Sequence, residues 1–120
     1  MDCIRIRGME FYAYHGALPE ETVIGQRFVV DVTLCLSLRR AGETDNLEET
    51  INYASVYDVV KDVIQGEPVK LIETLAERIA TVLLRDFGLL TRVDVTVVKP
   101  NAPIAGVFSD VSVTVERERE

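Results

Sequence analysis

Residues 26–38, QRFVVDVTLCLSL, decide the fold. Phe28, Val30, Val32, Leu34, Leu36 and Leu38 share one parity, and Asp31, Thr33, Cys35 and Ser37 share the other. Alternation of period two predicts a long strand with one buried and one wetted face. Towards the N-terminus, CIRIRGMEFYAY (3–14) alternates up to Gly8 and then turns aromatic, which predicts a second strand bulged at the glycine. HGALPEETVIG between them is turn-rich, so the two strands should form an antiparallel hairpin.

Towards the C-terminus, RRAGETDNLEET (39–50) is polar and reads as a loop. A helix follows from Asn52, a suitable N-cap, with Val56, Val59, Val60, Val63 and Ile64 on one stripe and Gly66 and Pro68 to stop it. KLIETLAERIATVLLRDF (70–87) predicts a second helix, with Leu71, Ile72, Leu75, Ala76, Ile79, Ala80 and Leu83 on one face and Gly88 as its stop. Residues 92–99 and 111–118 alternate again, Val93, Val95 and Val97 answering Val111, Val113 and Val115. The order ββααββ predicts an α+β fold: an antiparallel four-stranded sheet carrying both helices on its apolar face.

The other face of that sheet offers Asp31, Thr33, Ser37, Thr96, Ser112, Thr114 and Glu116, small and polar. Such a face meets water or a wet lumen. The strands are long for so small a protein, and their edges need pairing or protection. Closure of several sheets into one barrel would satisfy both demands; an ordinary solvated face fits the pattern equally well.

The 120 residues suit one domain, 1–120. Thirteen basic residues against 20 acidic ones give a net charge of −7, with no basic stripe, which argues against nucleic acid as a partner. The N-terminal MDCIRIRG has no apolar core of a signal peptide, and no apolar run approaches the roughly 20 residues that span a bilayer, so a cytoplasmic protein without membrane contact is expected. Cys3 and Cys35 lack CxxC spacing and read as small buried hydrophobes rather than a disulfide. A single histidine, His15, makes a multi-histidine metal site impossible within one chain and reads as a structural turn residue.

The candidates for chemistry are few. Lys99 ends a strand, and Pro100 keeps it extended and fixed in direction. Most strand-end lysines are merely solvated charges, but this one is followed by the rigid PNAP turn. Glu73 stands in the first turn of the second helix, where the helix dipole favours a carboxylate. It could accept two N–H bonds from a planar amidine-like edge. An ordinary first-turn acid is the commoner reading, and Glu77, one turn on, could equally be the solvated member of the two. Glu20 and Glu21 form either a solvated acidic turn or a carboxylate for substrate hydroxyls. Tyr53 could offer a phenol to a site or pack at the helix entrance. No GxGxxG, Walker, GxSxG or HExxH pattern is present.

Together, FYAYHGALPEE…GQRFVVDV, TDNLEETINYASV, LIETLAERIA and VVKPNAPIAGVFSDVSV resemble the successive blocks of bacterial dihydroneopterin aldolases, over about residues 4–117. Ala13 stands where that family often has glycine. The resemblance implies the tunnelling fold, in which ββααββ subunits close into four-membered rings, often stacked as an octamer, with sites between neighbouring subunits. It implies retro-aldol cleavage of 7,8-dihydroneopterin in folate biosynthesis, with no metal, cofactor or lysine Schiff base, since the substrate's own C6–N5 imine is the electron sink. By the same resemblance Lys99, Tyr53 and Glu21 are the catalytic residues. Glu73 is the pterin anchor, and Ile72, Gln26, Ala17 and Leu18 complete the substrate site. Epimerisation at C2′ is an implied side activity. The rivals are dihydroneopterin triphosphate epimerase, which diverges in the YHGALPEE and KPNAPI blocks, both intact here, and a pterin-binding module without catalysis.

Overall fold

The computed structural model describes residues 1–119. Four strands, β1 (Cys3–Ala13), β2 (Gln26–Cys35), β3 (Arg92–Lys99) and β4 (Val111–Glu118), form one antiparallel sheet in the order β1-β2-β3-β4. The two long helices expected from the apolar stripes are Tyr53–Ile64 and Ile72–Asp86. Two short ones were not expected. Pro19–Ile24 (α1) lies inside the turn-rich connection, and Arg39–Thr44 (α2) begins the segment read as a loop, followed by a 3₁₀ turn at Leu47–Glu49. The long helices are therefore α3 and α4.

Parity in the strands sets the core. Phe28, Val30, Val32 and Leu34 of β2 and Val93, Val95 and Val97 of β3 are buried against Val56, Val60 and Ile64 of α3 and Leu75, Ile79 and Leu83 of α4. Each such side chain contributes roughly 1.5–3 kcal/mol on leaving water. Val111, Val113 and Val115 of the edge strand β4 are only half-buried. Asp31, Thr33 and Thr96 on the opposite face are half-buried, and Ser112, Thr114 and Glu116 are exposed, as the polar parity requires.

Gly8 is the bulge that the sequence predicts. Its φ is +71°, its N–H donates to Asp31 Oδ1 at 2.6 Å, and the β1–β2 register shifts between Ile6 and Met9. Three boundaries differ from expectation. β2 stops at Cys35 rather than Leu38, because its partner strand begins at Cys3. Beyond it, the Leu38 N–H donates to the Asp2 carboxylate, and Leu38 serves as the N-cap of α2. The second difference is at the end of α4, which closes at Phe87 with extended backbone and its N–H on the Leu83 carbonyl; Gly88 is not in the left-handed region. The third is at its start: α4 begins at Ile72, with Leu71 as an extended N-cap. The cap of α3 is as expected, with the Asn52 side chain accepting from the N–H groups of Ala54 and Ser55.

Candidate active site

Helix α1 is built to hold a carboxylate. Pro19 occupies its first turn and Glu20 and Glu21 follow, favourable to the helix dipole. Glu21 turns back, and its Oε1 accepts from the Leu18 N–H at 3.2 Å. Its Oε2 accepts from the Gln26 amide at 2.9 Å and pairs with Lys99 Nζ at 2.5 Å. Glu21 is only 8% exposed, and the Lys99 side chain 12%. Burial pushes the Glu21 carboxyl up, but the Lys99 ammonium, the Leu18 N–H and the Gln26 amide outweigh it and hold the group below its ordinary value. A strand-end lysine and a turn glutamate, far apart in sequence, thus form one buried ion pair.

That pair opens on a cavity of about 430 Å³, whose wall also includes Ala17, Leu18, Ile72 and Glu73. Six of the eight residues that the resemblance points to therefore share one chamber. Lys70, Leu71, Ala102, Pro103 and Ile104 line it too and were not singled out from sequence; the signal for the last three was the rigid PNAPI segment already noticed behind Lys99. Ile72 is buried, whereas Glu73 is exposed at the cavity edge. The choice between Glu73 and Glu77 is settled by Arg117, whose guanidinium forks onto Glu77 at 3.0 Å to each oxygen and holds that carboxyl below its usual range. Glu77 is absent from the cavity wall and Glu73 is on it.

Gln26 stands on the far side of Glu21, in an adjoining depression shared with Tyr12 and Asn101. Its Oε1 is buried and has no hydrogen-bond partner among the described residues. With the amide N–H committed to Glu21, this orphan acceptor is open to a donor from a ligand. Tyr53 is not brought to the chamber. It sits 64% exposed at the first position of α3, beside Leu47 and Asn52 in a separate hollow.

His15 is buried and fully bonded, as a structural turn residue should be. Nδ1 accepts from the Val69 N–H at 3.0 Å, so the ring proton lies on Nε2, which donates to the Ile64 carbonyl at 2.6 Å. The Gly16 N–H donates to the Val69 carbonyl at 2.9 Å. This bracket ties the segment carrying Ala17, Leu18 and Glu21 to the end of α3 and the approach to α4. Burial chiefly lowers the His15 pKa; the Ile64 carbonyl opposes this, and Lys99 and Arg78 add to the lowering.

The dihydroneopterin aldolase (FolB) family model matches residues 4–116. The dihydroneopterin aldolase of Bacillus subtilis is 51% identical over 119 residues, covering 99% of each chain. Among solved structures, a FolB chain from Vibrio cholerae superposes with a TM-score of 0.91 at 28% identity, covering 99% of this chain and 98% of its own. Escherichia coli dihydroneopterin aldolase in complex with neopterin gives a TM-score of 0.88 at 27% identity, covering 98% and 99%. Full-length similarity at this level, on a chain with the same blocks in the same order, makes the assignment: this chain belongs to the dihydroneopterin aldolase family.

Proposed function

We propose that the protein cleaves 7,8-dihydroneopterin by a retro-aldol reaction to 6-hydroxymethyl-7,8-dihydropterin and glycolaldehyde, as an aldehyde-lyase of folate biosynthesis acting in the cytoplasm. The buried Lys99–Glu21 pair at the cavity wall carries this reading. A lysine and a carboxylate removed from water and fixed to one another can exchange protons with a ligand without rearranging solvent. Support for the ligand class comes from the E. coli relative, whose structure holds neopterin.

Glu73 would accept the 2-amino and N3 hydrogens of the pterin, which lies against Ile72. The C2′ hydroxyl loses its proton and the C1′–C2′ bond breaks. The bonding pair moves into the C6–N5 imine, giving an enamine while glycolaldehyde departs. Return of a proton to C1′ restores the imine. Lys99 and Glu21 move the proton near N5 and the tail hydroxyl, and the free Gln26 oxygen accepts from a tail hydroxyl. Tyr53 would act on the C1′ proton from a neighbouring subunit, in keeping with its exposure and its distance from this chain's own chamber. That places it in a ring tetramer, stacked as an octamer, of single-domain subunits covering residues 1–120. The exposed Ile104, Val107 and Phe108 beside the open β4 edge favour such an assembly. If glycolaldehyde turns over before it escapes, readdition to its other face gives the C2′ epimer.

Incubation of the EDTA-treated protein with 7,8-dihydroneopterin, with chromatography of the pterins, tests the reading. Formation of 6-hydroxymethyl-7,8-dihydropterin with equimolar glycolaldehyde supports it. Epimer alone, or no change with pterin bound, overturns it in favour of the epimerase or the non-catalytic module respectively.

A further inference from the structure

The two cysteines face each other. Cys3 opens β1, Cys35 closes β2, and they stand directly opposed in the register. The Leu36 N–H donates to the Asp2 carbonyl at 3.1 Å, a bond that flanks the pair rather than joining it. Cys3 and Cys35 therefore form a non-hydrogen-bonded antiparallel pair, the type in which Cα atoms approach to about 4.5 Å and side chains come closest. Disulfides bridge Cα separations of about 4.4–6.8 Å, so this pair can close without moving the backbone. Both thiols are free, with their Sγ atoms 2.7 Å apart.

We propose that Cys3 and Cys35 are a reversible disulfide site, oxidised by exchange with a small-molecule disulfide, that staples the edge strand β1 to β2. Cys3, half-buried where Cys35 is buried, is the sulfur an oxidant meets first. Its thiolate attacks one sulfur of the oxidant and expels the first thiol, leaving a mixed disulfide on Cys3. The Cys35 thiolate then attacks Cys3 Sγ and expels the second thiol. The protein loses two protons and two electrons, and the oxidant is reduced to two thiols. Burial pushes the Cys35 thiol up to about 11, which suits it to the second, intramolecular step, where proximity compensates for a small thiolate fraction.

The staple is remote from the chamber. Cys35 pairs with Arg92 at one end of β3, while Val29 pairs with Val98 beside Lys99 at the other, about 20 Å along the sheet. It closes the loop that contains β1, α1 and β2, so its effect falls on the stability of that unit and not on turnover. Reducing thiols reopen it, so in a reducing compartment it forms only transiently.

The test treats the native protein with oxidised glutathione, quenches with acid, and records intact mass, a non-reducing peptide map and Tm. Expected are loss of two hydrogens, one peptide joining residues 3 and 35, and a Tm raised by several degrees that dithiothreitol reverses, with turnover unchanged. Cys3→Ser should match the untreated protein in Tm and show no rise. A persistent glutathione adduct, a dimer linked between chains, unreacted thiols, or an internal disulfide without a change in Tm would each overturn the proposal.

Discussion

The two ends of the sheet carry the same kind of interaction in opposite settings. At one end Lys99 and Glu21 are paired with side chains 12% and 9% exposed, on a cavity wall. At the other, Arg92 reaches Asp94 at 2.9 Å and also engages Glu116 and Glu118, whose side chains are 61% and 74% exposed. The exposed network has more partners, yet screened surface pairs of this kind are worth little. The buried pair has lost its hydration, and hydrophobic side chains of similar volume would serve stability as well or better. Burial, not the number of charges, separates an ion pair kept for chemistry from one that decorates a surface.

The contrast breaks first at Lys99. Lys99→Ala should lower turnover by about 10²–10⁴-fold, the usual contribution of a proton-transfer group, while far-ultraviolet circular dichroism stays native. Normal turnover in that variant would remove the functional meaning of the buried pair. Next is its stability. Lys99→Met leaves Glu21 buried without its cation and should cost about 3 kcal/mol by denaturant titration. Adding Glu21→Gln should recover most of that loss and none of the activity. If the double variant were no more stable than the single one, the two residues would not be coupled.

Glu73→Ala should weaken pterin binding about tenfold or more, because the N–H edge loses its acceptor at about 1–3 kcal/mol. Calorimetry showing unchanged affinity would move the anchor elsewhere. His15 gives a smaller, pH-dependent effect. Its folded pKa lies below the ordinary 6.5, so its contribution is complete above pH 6.5 and declines as pH falls below it, where the unfolded chain takes up the proton first. In His15→Gln the plateau stability should drop and the slope below pH 6.5 should flatten; an unchanged slope would point to another titrating group. The smallest effect belongs to the exposed end. Arg92→Ala should leave turnover as it was and shift Tm by no more than scan-to-scan scatter. A large fall there would blur the distinction between the two ends.

Much of this architecture is legible in the chain because it repeats. Phe28 to Leu36, Val93 to Val97 and Val56 to Ile64 announce strand and helix by period, and Asn52 and Gly8 announce a cap and a bulge by their chemistry. Helices α1 and α2 span six residues each, too few turns for a stripe to emerge. For α1, a proline followed by two acids was a readable start signal all the same. The Lys99–Glu21 contact joins residues at opposite ends of the sequence, where no local pattern reaches, and only family resemblance put both in one site. The separation of Tyr53 from the chamber was invisible for the same reason.

The bulge at Gly8 has a consequence for how this chain can change. Ile4 and Ile6 lie towards the core before it, and Met9, Phe11 and Ala13 after it, so one extra residue switches the parity of β1. Deleting that residue would turn Met9 and Phe11 out to the polar face and deliver His15 to the wrong side of the sheet. Substitutions along β1 meet a local penalty, but an insertion or deletion of a single residue is multiplied through everything downstream to Gln26. Across this part of the chain, drift in composition is open and drift in length is closed.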